Sequence, residues 1–172
     1  MTRVASFPPV VGKAPDTLVL GSMPGKASLQ AGQYYAHPRN SFWRIIAAIA
    51  GFDPAAPYQE RLDGLMRARI ALWDVLHSCV RPGSADSAIR NGTRVPNDFR
   101  AFFHAHSGIR LVCFNGAEAE QSFRRYVLPG LGGRPIRYLR LPSTSPAYAV
   151  LSFEQKLEAW RAALGDRERS RG

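Results

Sequence analysis

Apolar residues fall in short runs separated by polar stretches rich in Gly and Pro. Thr17 to Leu20 is an apolar run that stops at Gly21, which predicts a buried strand running into a loop. Ile70 to Leu76, Ile109 to Phe114 and Ile136 to Leu141 have the same character. Between them the period changes. Phe42, Trp43, Ile45, Ile46, Ile49 and Ala50 form one helical face ending at Gly51, and a second helix is expected from Tyr58 to Arg69. Another helix is predicted near 97–106, with Phe99, Phe102 and Phe103 on one side, and another from Asn115–Gly116 to about Val127. The last helix opens at a Ser152-x-x-Gln155 capping box and places Phe153, Leu157, Trp160 and Leu164 on one stripe. Residues 1–15, with three prolines, read as an irregular lead-in. Residues 22–40 and 78–95 read as long loops without regular structure, and the charged tail Gly165–Gly172 reads as disordered.

Strands alternating with helices predict a three-layer α/β/α sandwich around a small, mainly parallel four-stranded sheet. The 172 residues form one domain, with its core over about 16–164. In such sheets ligands bind beyond the carboxyl ends of the strands. Three unusual segments meet there: the loop after Leu20, Asn115 after the third strand, and Pro142-Ser143-Thr144-Ser145-Pro146 after the fourth.

Composition narrows the partner. Lys and Arg total 23 against 13 Asp and Glu, a formal charge of +10. Such an excess fits a polyanion, although the Arg-rich usage, with Lys13, Lys26 and Lys156 the only lysines, also fits a GC-rich genome. Cys79 and Cys113 lie in no metal-binding spacing, so no metal and no cofactor is expected. With no signal peptide and no membrane-spanning run, the expected location is cytoplasmic, with both thiols reduced.

Read from the residues alone, each candidate has two roles. Asn40 either caps the helix that follows or orients a reacting group. Tyr34 and Tyr35 either pin a loop or offer a stacking face. Asn115 heads a possible capping box with Glu118, or reads a ligand edge. Ser143, Thr144 and Ser145 form a plain turn or contact phosphate. Arg81, Arg90 and Arg94 track a DNA backbone or line a solvated loop. Trp73 and Asp74 at a strand end are expected to pack and cap, and His37 to be structural.

Gly21-Ser22-Met23-Pro24-Gly25, then Tyr34-Tyr35-x-His37-Pro38-x-Asn40-x-Phe42-Trp43, then Leu141-Pro142-Ser143-Thr144-Ser145-Pro146-Ala147 together resemble the uracil-DNA glycosylase superfamily. Within it the pattern is similar to the hypoxanthine-DNA (deoxyinosine) glycosylase branch. The resemblance implies a monomeric base-excision enzyme acting on DNA that contains deaminated bases, by base flipping and without a lyase step. It implies that Asn40 is the catalytic residue. It also implies that Tyr35 stacks on the flipped base, that Asn115 reads its edge, and that Ser22 and Met23 line the pocket through their backbone. Relatives specific for mismatched uracil or thymine carry Asn where this chain has Met23, and the uracil branch carries His where it has Leu141. The resemblance leaves open two other outcomes: a uracil or broad deaminated-base glycosylase, and a non-catalytic nucleic-acid-binding module on the same fold.

Overall fold

The computed structural model describes residues 2–165 and residue 167. Its centre is a four-stranded sheet. The strands are β2 (Thr17–Gly21), β3 (Ile70–Asp74), β6 (Leu111–Asn115) and β7 (Arg137–Leu141), in the order β3-β2-β6-β7 and all parallel. Alternate residues of each strand face opposite layers, as the pleat requires. On β2, Leu18 and Leu20 join Phe99, Phe102, Phe103 and Phe123, which come from α4 (Phe99–Ala105) and α5 (Ala117–Tyr126). Val19 points the other way. There it joins Phe42, Ile45 and Ile49 of α2 (Phe42–Ala50), Leu65 of α3 (Tyr58–Arg67) and Trp160 of α6 (Phe153–Leu164). The three-layer expectation therefore holds, and the reciprocal Ser152–Gln155 capping box opens α6.

All four segments expected to be irregular are at least partly ordered, the stretch 78–95 by parts of two short strands and a 3-10 turn at Asp86–Ala88. Arg3–Ala5 is a strand, β1, paired antiparallel with β4 (Leu76–Val80), whose other edge carries β5 (Val95–Pro96). The predicted strand Ile70–Leu76 thus splits at Val75. The Val75 N–H donates to Gly21 O at 2.8 Å and Leu76 N–H to Ser22 O at 3.1 Å, which turns the chain from the main sheet into the small one. Inside the expected loop 22–40 lies a short helix, α1 (Lys26–Ala31). Only Ser28 of it is buried, and its end is set by Gly32 at φ 65°, so no apolar period announced it. Of the tail expected to be disordered, Arg167 is described and held in place. Its guanidinium pairs with Asp16 at 2.8 Å and donates to Ala68 O at 3.0 Å and Thr17 Oγ1 at 2.9 Å. Residues 166 and 168–172 lie outside the described residues.

Candidate active site

The carboxyl ends of β2, β3, β6 and β7 define one edge, and the unusual segments gather on it. The first segment runs from Gly21 to Asn40. Tyr34 is buried and structural: its hydroxyl donates to Pro8 O at 2.8 Å, and its carbonyl accepts from Trp43 Nε1 at 2.9 Å. Tyr35 is half-buried, with backbone φ of 53°, a left-handed conformation costly for a bulky residue and maintained here by its surroundings. One face of its ring stacks on Phe42, with centroids 4.1 Å apart. Its hydroxyl is turned inward, where burial and the negative charge of Asp74 keep it protonated. The Asn115 amide lies near enough to oppose that trend without a well-formed hydrogen bond.

Asn40 is half-buried at the mouth of α2. Its Oδ1 accepts from Phe42 N–H at 2.9 Å, while no hydrogen bond engages its Nδ2 among the described residues. Asn40 is therefore not the helix cap that was one of its two expected roles: the N-cap is Ser41, and Asn40 closes a local turn to Phe42 through one end of its amide. His37, expected in a packed segment, is exposed, and its Nδ1 accepts from Arg39 N–H at 3.1 Å.

Asn115 caps nothing. The N-cap of α5 is Gly116, without a side-chain cap, so the possible box with Glu118 does not form. Instead, Asn115 Nδ2 donates to Thr144 Oγ1 at 2.9 Å, and its Oδ1 accepts from Thr144 N–H at 2.9 Å. Thr144 O in turn accepts from Ser41 N–H at 3.0 Å. One chain of contacts thus ties the third strand, the Ser/Pro loop and the segment carrying Asn40. Thr144 is fully buried, which removes it from the expected phosphate contacts. Ser143 and Ser145 are half-buried, and their hydroxyl oxygens accept from Ser145 N–H and Ala147 N–H at 3.2 Å each. Lys156 Nζ, donating to Ser145 O at 3.2 Å, supports the same loop from α6. Beyond it, Tyr148 and Val150 stand exposed.

The stretch 78–95 folds over the first segment. Arg81, expected on DNA, is 4% exposed and is used internally: it donates to Pro24 O at 2.6 Å and to Gly83 O at 2.9 Å. Arg94 is likewise committed, at 2.8 Å from Glu118. Arg90 alone of the three is exposed, and among the described residues it forms no ion pair. Ser22 is buried, and its hydroxyl donates to Asp86 Oδ1 at 2.6 Å, while Lys26 N–H donates to Ser84 Oγ at 2.8 Å. Met23 is buried in the core, so its side chain offers no polar group to the site.

Sequence reasoning gave Asp74 a capping role, and it has none. It is 3% exposed, in register with Gly21, and forms no ion pair among the described residues. Burial first, and the charge of Asp86 second, raise its carboxyl to about 7, with Arg81 pulling the other way. Its place at a strand end level with Gly21 was the available signal. Asp86 carried none.

Comparison with known proteins agrees with the fold. The family model for the uracil DNA glycosylase superfamily matches residues 8–164. The chain belongs to the uracil DNA glycosylase superfamily. Among its relatives, a protein of Methanosarcina acetivorans named hypoxanthine DNA glycosylase is 36% identical over 92% of this chain and 96% of its own length. A Methanosarcina barkeri protein of the same name is 40% identical over 66% of this chain and 71% of its own. The solution NMR structure assigned to a uracil DNA glycosylase from Methanosarcina acetivorans superposes with a TM-score of 0.80 at 33% identity, covering 97% of this chain and 99% of that one.

Proposed function

We propose that the chain is a monofunctional DNA glycosylase that removes hypoxanthine from DNA. The observation that carries this reading is the Asn40–Ser41–Thr144–Asn115 linkage, which places an amide with unengaged N–H groups at the edge where the strands end. A relative named hypoxanthine DNA glycosylase matches over 92% of the chain, and a second of that name over 66%.

The chemistry follows from what an amide can do. Asn40 carries no charge and is a weak base, so it cannot strip a proton from water in the ground state. It can hold and orient a water molecule. The bond between C1′ of the sugar and N9 of the base therefore breaks first, its electron pair leaving with the base. Water then attacks the oxocarbenium-like C1′ and releases its proton to solvent, and the departing base takes up a proton. Backbone N–H groups around Ser22 and Met23 stabilise the departing anion, since Met23 and Leu141 bring no polar side chain. The free face of Tyr35 stacks on the extruded base, worth about 1–3 kcal/mol. Asn115 has one N–H and one lone pair beyond its Thr144 contacts, a donor and acceptor that suit the N1–H/O6 edge.

Ser143, Ser145 and Arg90 are the phosphate-facing groups in this reading, and exposed Tyr148 and Val150 the apolar groups nearest the duplex. Large exposed apolar residues are few, which favours a monomer. Among the described residues no helix is long and apolar enough to cross a membrane, and a cytoplasmic location is part of the proposal.

The test uses duplexes bearing one hypoxanthine, uracil or xanthine, followed by alkaline cleavage of abasic sites. Preferential strand scission at hypoxanthine is the expected result. Equal scission at uracil would make the enzyme a broad deaminated-base glycosylase, and binding without scission would make it a non-catalytic module.

A further inference from the structure

Three buried polar atoms lacking a hydrogen-bond partner belong to the roof and floor of this edge: the Tyr35 hydroxyl, Asp74 Oδ2 and Arg81 Nη1. Unmet buried polar groups are rare and costly, and a group of them calls for a reason. Two of the three residues meet at one point. A Cβ on Gly21 would lie 2.5 Å from Asp74 Oδ1 and 2.9 Å from the Tyr35 hydroxyl. The bare Cα of Gly21 is what lets both oxygens approach. In the free protein they flank this point without bonding to each other.

We propose that Asp74 is a positioning residue for base excision, accepting a hydrogen bond from the Tyr35 hydroxyl that closes when a base stacks on the Tyr35 ring. The proposal rests on the glycosylase reading above. Hydrogen bonds in an active site are commonly long in the free enzyme and tighten in the complex. A base pressing on one face of Tyr35, with Phe42 behind the other, leaves the hydroxyl as the ring's remaining degree of freedom. The bond fixes it.

The Tyr35 hydroxyl is held neutral and carries the hydrogen, and a carboxylate accepts it more strongly than a neutral acid does. The groups facing Asp74 set where it ionises. Burial and Asp86 of the overlying loop disfavour the anion, and Tyr34 is neutral. Arg81 favours the anion, with its guanidinium also bonded to Pro24 O and Gly83 O. Excision should therefore rise as Asp74 ionises near neutrality.

The experiment is single-turnover excision from a hypoxanthine duplex between about pH 5.5 and about pH 9. The wild-type rate should rise by about tenfold through neutrality, the gain from a charge-assisted over a neutral hydrogen bond. Asp74→Asn keeps an uncharged acceptor and should give a level profile. Asp74→Leu should be slow at every pH. In the Tyr35→Phe background, Asp74 and Asp74→Asn should become indistinguishable. A rise that persists in Asp74→Asn, or in Tyr35→Phe, overturns the proposal. If the wild-type protein releases no base from any lesion, the glycosylase reading fails instead. The Asp74–Tyr35 bond is then judged by carbon-13 NMR of the Asp74 carboxyl with a non-cleavable hypoxanthine duplex bound. Tyr35→Phe should raise its titration midpoint, and an unmoved midpoint overturns the bond.

Discussion

Asn115 and Thr144 hold each other twice, side chain to side chain and backbone to side chain, at 2.9 Å in both contacts. Thr144 is fully buried, so solvent cannot replace a lost partner. Thr144→Val keeps the shape and deletes the hydroxyl, leaving one Asn115 N–H unmet. The expected cost is about 1–3 kcal/mol, read from urea unfolding. Asn115→Ala should cost as much and should also lower the preference for hypoxanthine over uracil. A double-mutant cycle in which the two losses simply add would contradict the paired geometry.

Asn40→Ala should reduce single-turnover excision by more than about a hundredfold, the scale seen when a group that acts on the transition state is removed. Duplex affinity should change only a few-fold. Because Oδ1 also accepts from Phe42 N–H, a stability loss of about 1 kcal/mol is expected in parallel. Asn40→Asp retains the acceptor, so it should restore stability and leave the catalytic defect. Thermal unfolding and excision assays on the same preparations separate the two roles.

Salt dependence divides the arginines. Each phosphate neutralised contributes about −0.9 to the slope of log K against log salt, and a domain of this size making roughly four contacts should show a slope near −4. Arg90→Ala should reduce the magnitude by about one. Arg94→Ala, paired with Glu118, should change it little. Arg81→Ala should not act through DNA at all. It strands Pro24 O and Gly83 O, and should show as lost stability of about 1–3 kcal/mol in chemical denaturation. Filter binding across a salt series checks the slopes.

Asp74 also links stability to pH. Its folded value, about 7, lies above that of an exposed carboxyl, so the folded protein binds the proton more tightly than the unfolded chain. Its contribution is intact below the unfolded value and is lost progressively as pH rises through about 7. Asp74→Asn should therefore raise Tm at pH 8 and leave it nearly unchanged at pH 4, both read by calorimetry on the variant and the parent.

How far the chain could be read before folding depended on where its information lies. The central strands and the apolar faces of α2, α4 and α6 carry their own periodicity, so they were visible directly. The N-terminal strand β1 is three residues long, and its pairing with β4 spans most of a domain half, which no local pattern encodes. The same reason hid the arginines. Arg81 and Arg90 look alike in a polar stretch, and only the fold turns one into the core and leaves the other in solvent. Motif resemblance is what pointed to Asn40 and Asn115, whereas Asp74 offered only its place at a strand end until Gly21 and Tyr35 were seen beside it.

The family match begins at residue 8, yet the strand before it matters to the site. Arg3 to Ala5 line one edge of β4, and Arg3 Nη1 donates to Ser78 Oγ at 3.1 Å and Thr93 O at 2.7 Å, at both ends of the segment that covers Gly21–Lys26. The first residues are therefore a hinge pin for the roof. A protease that removed them would leave the four parallel strands and both packed helical layers standing. It would loosen the cover above Ser22, so such a nicked protein would lose its chemistry long before it lost its fold.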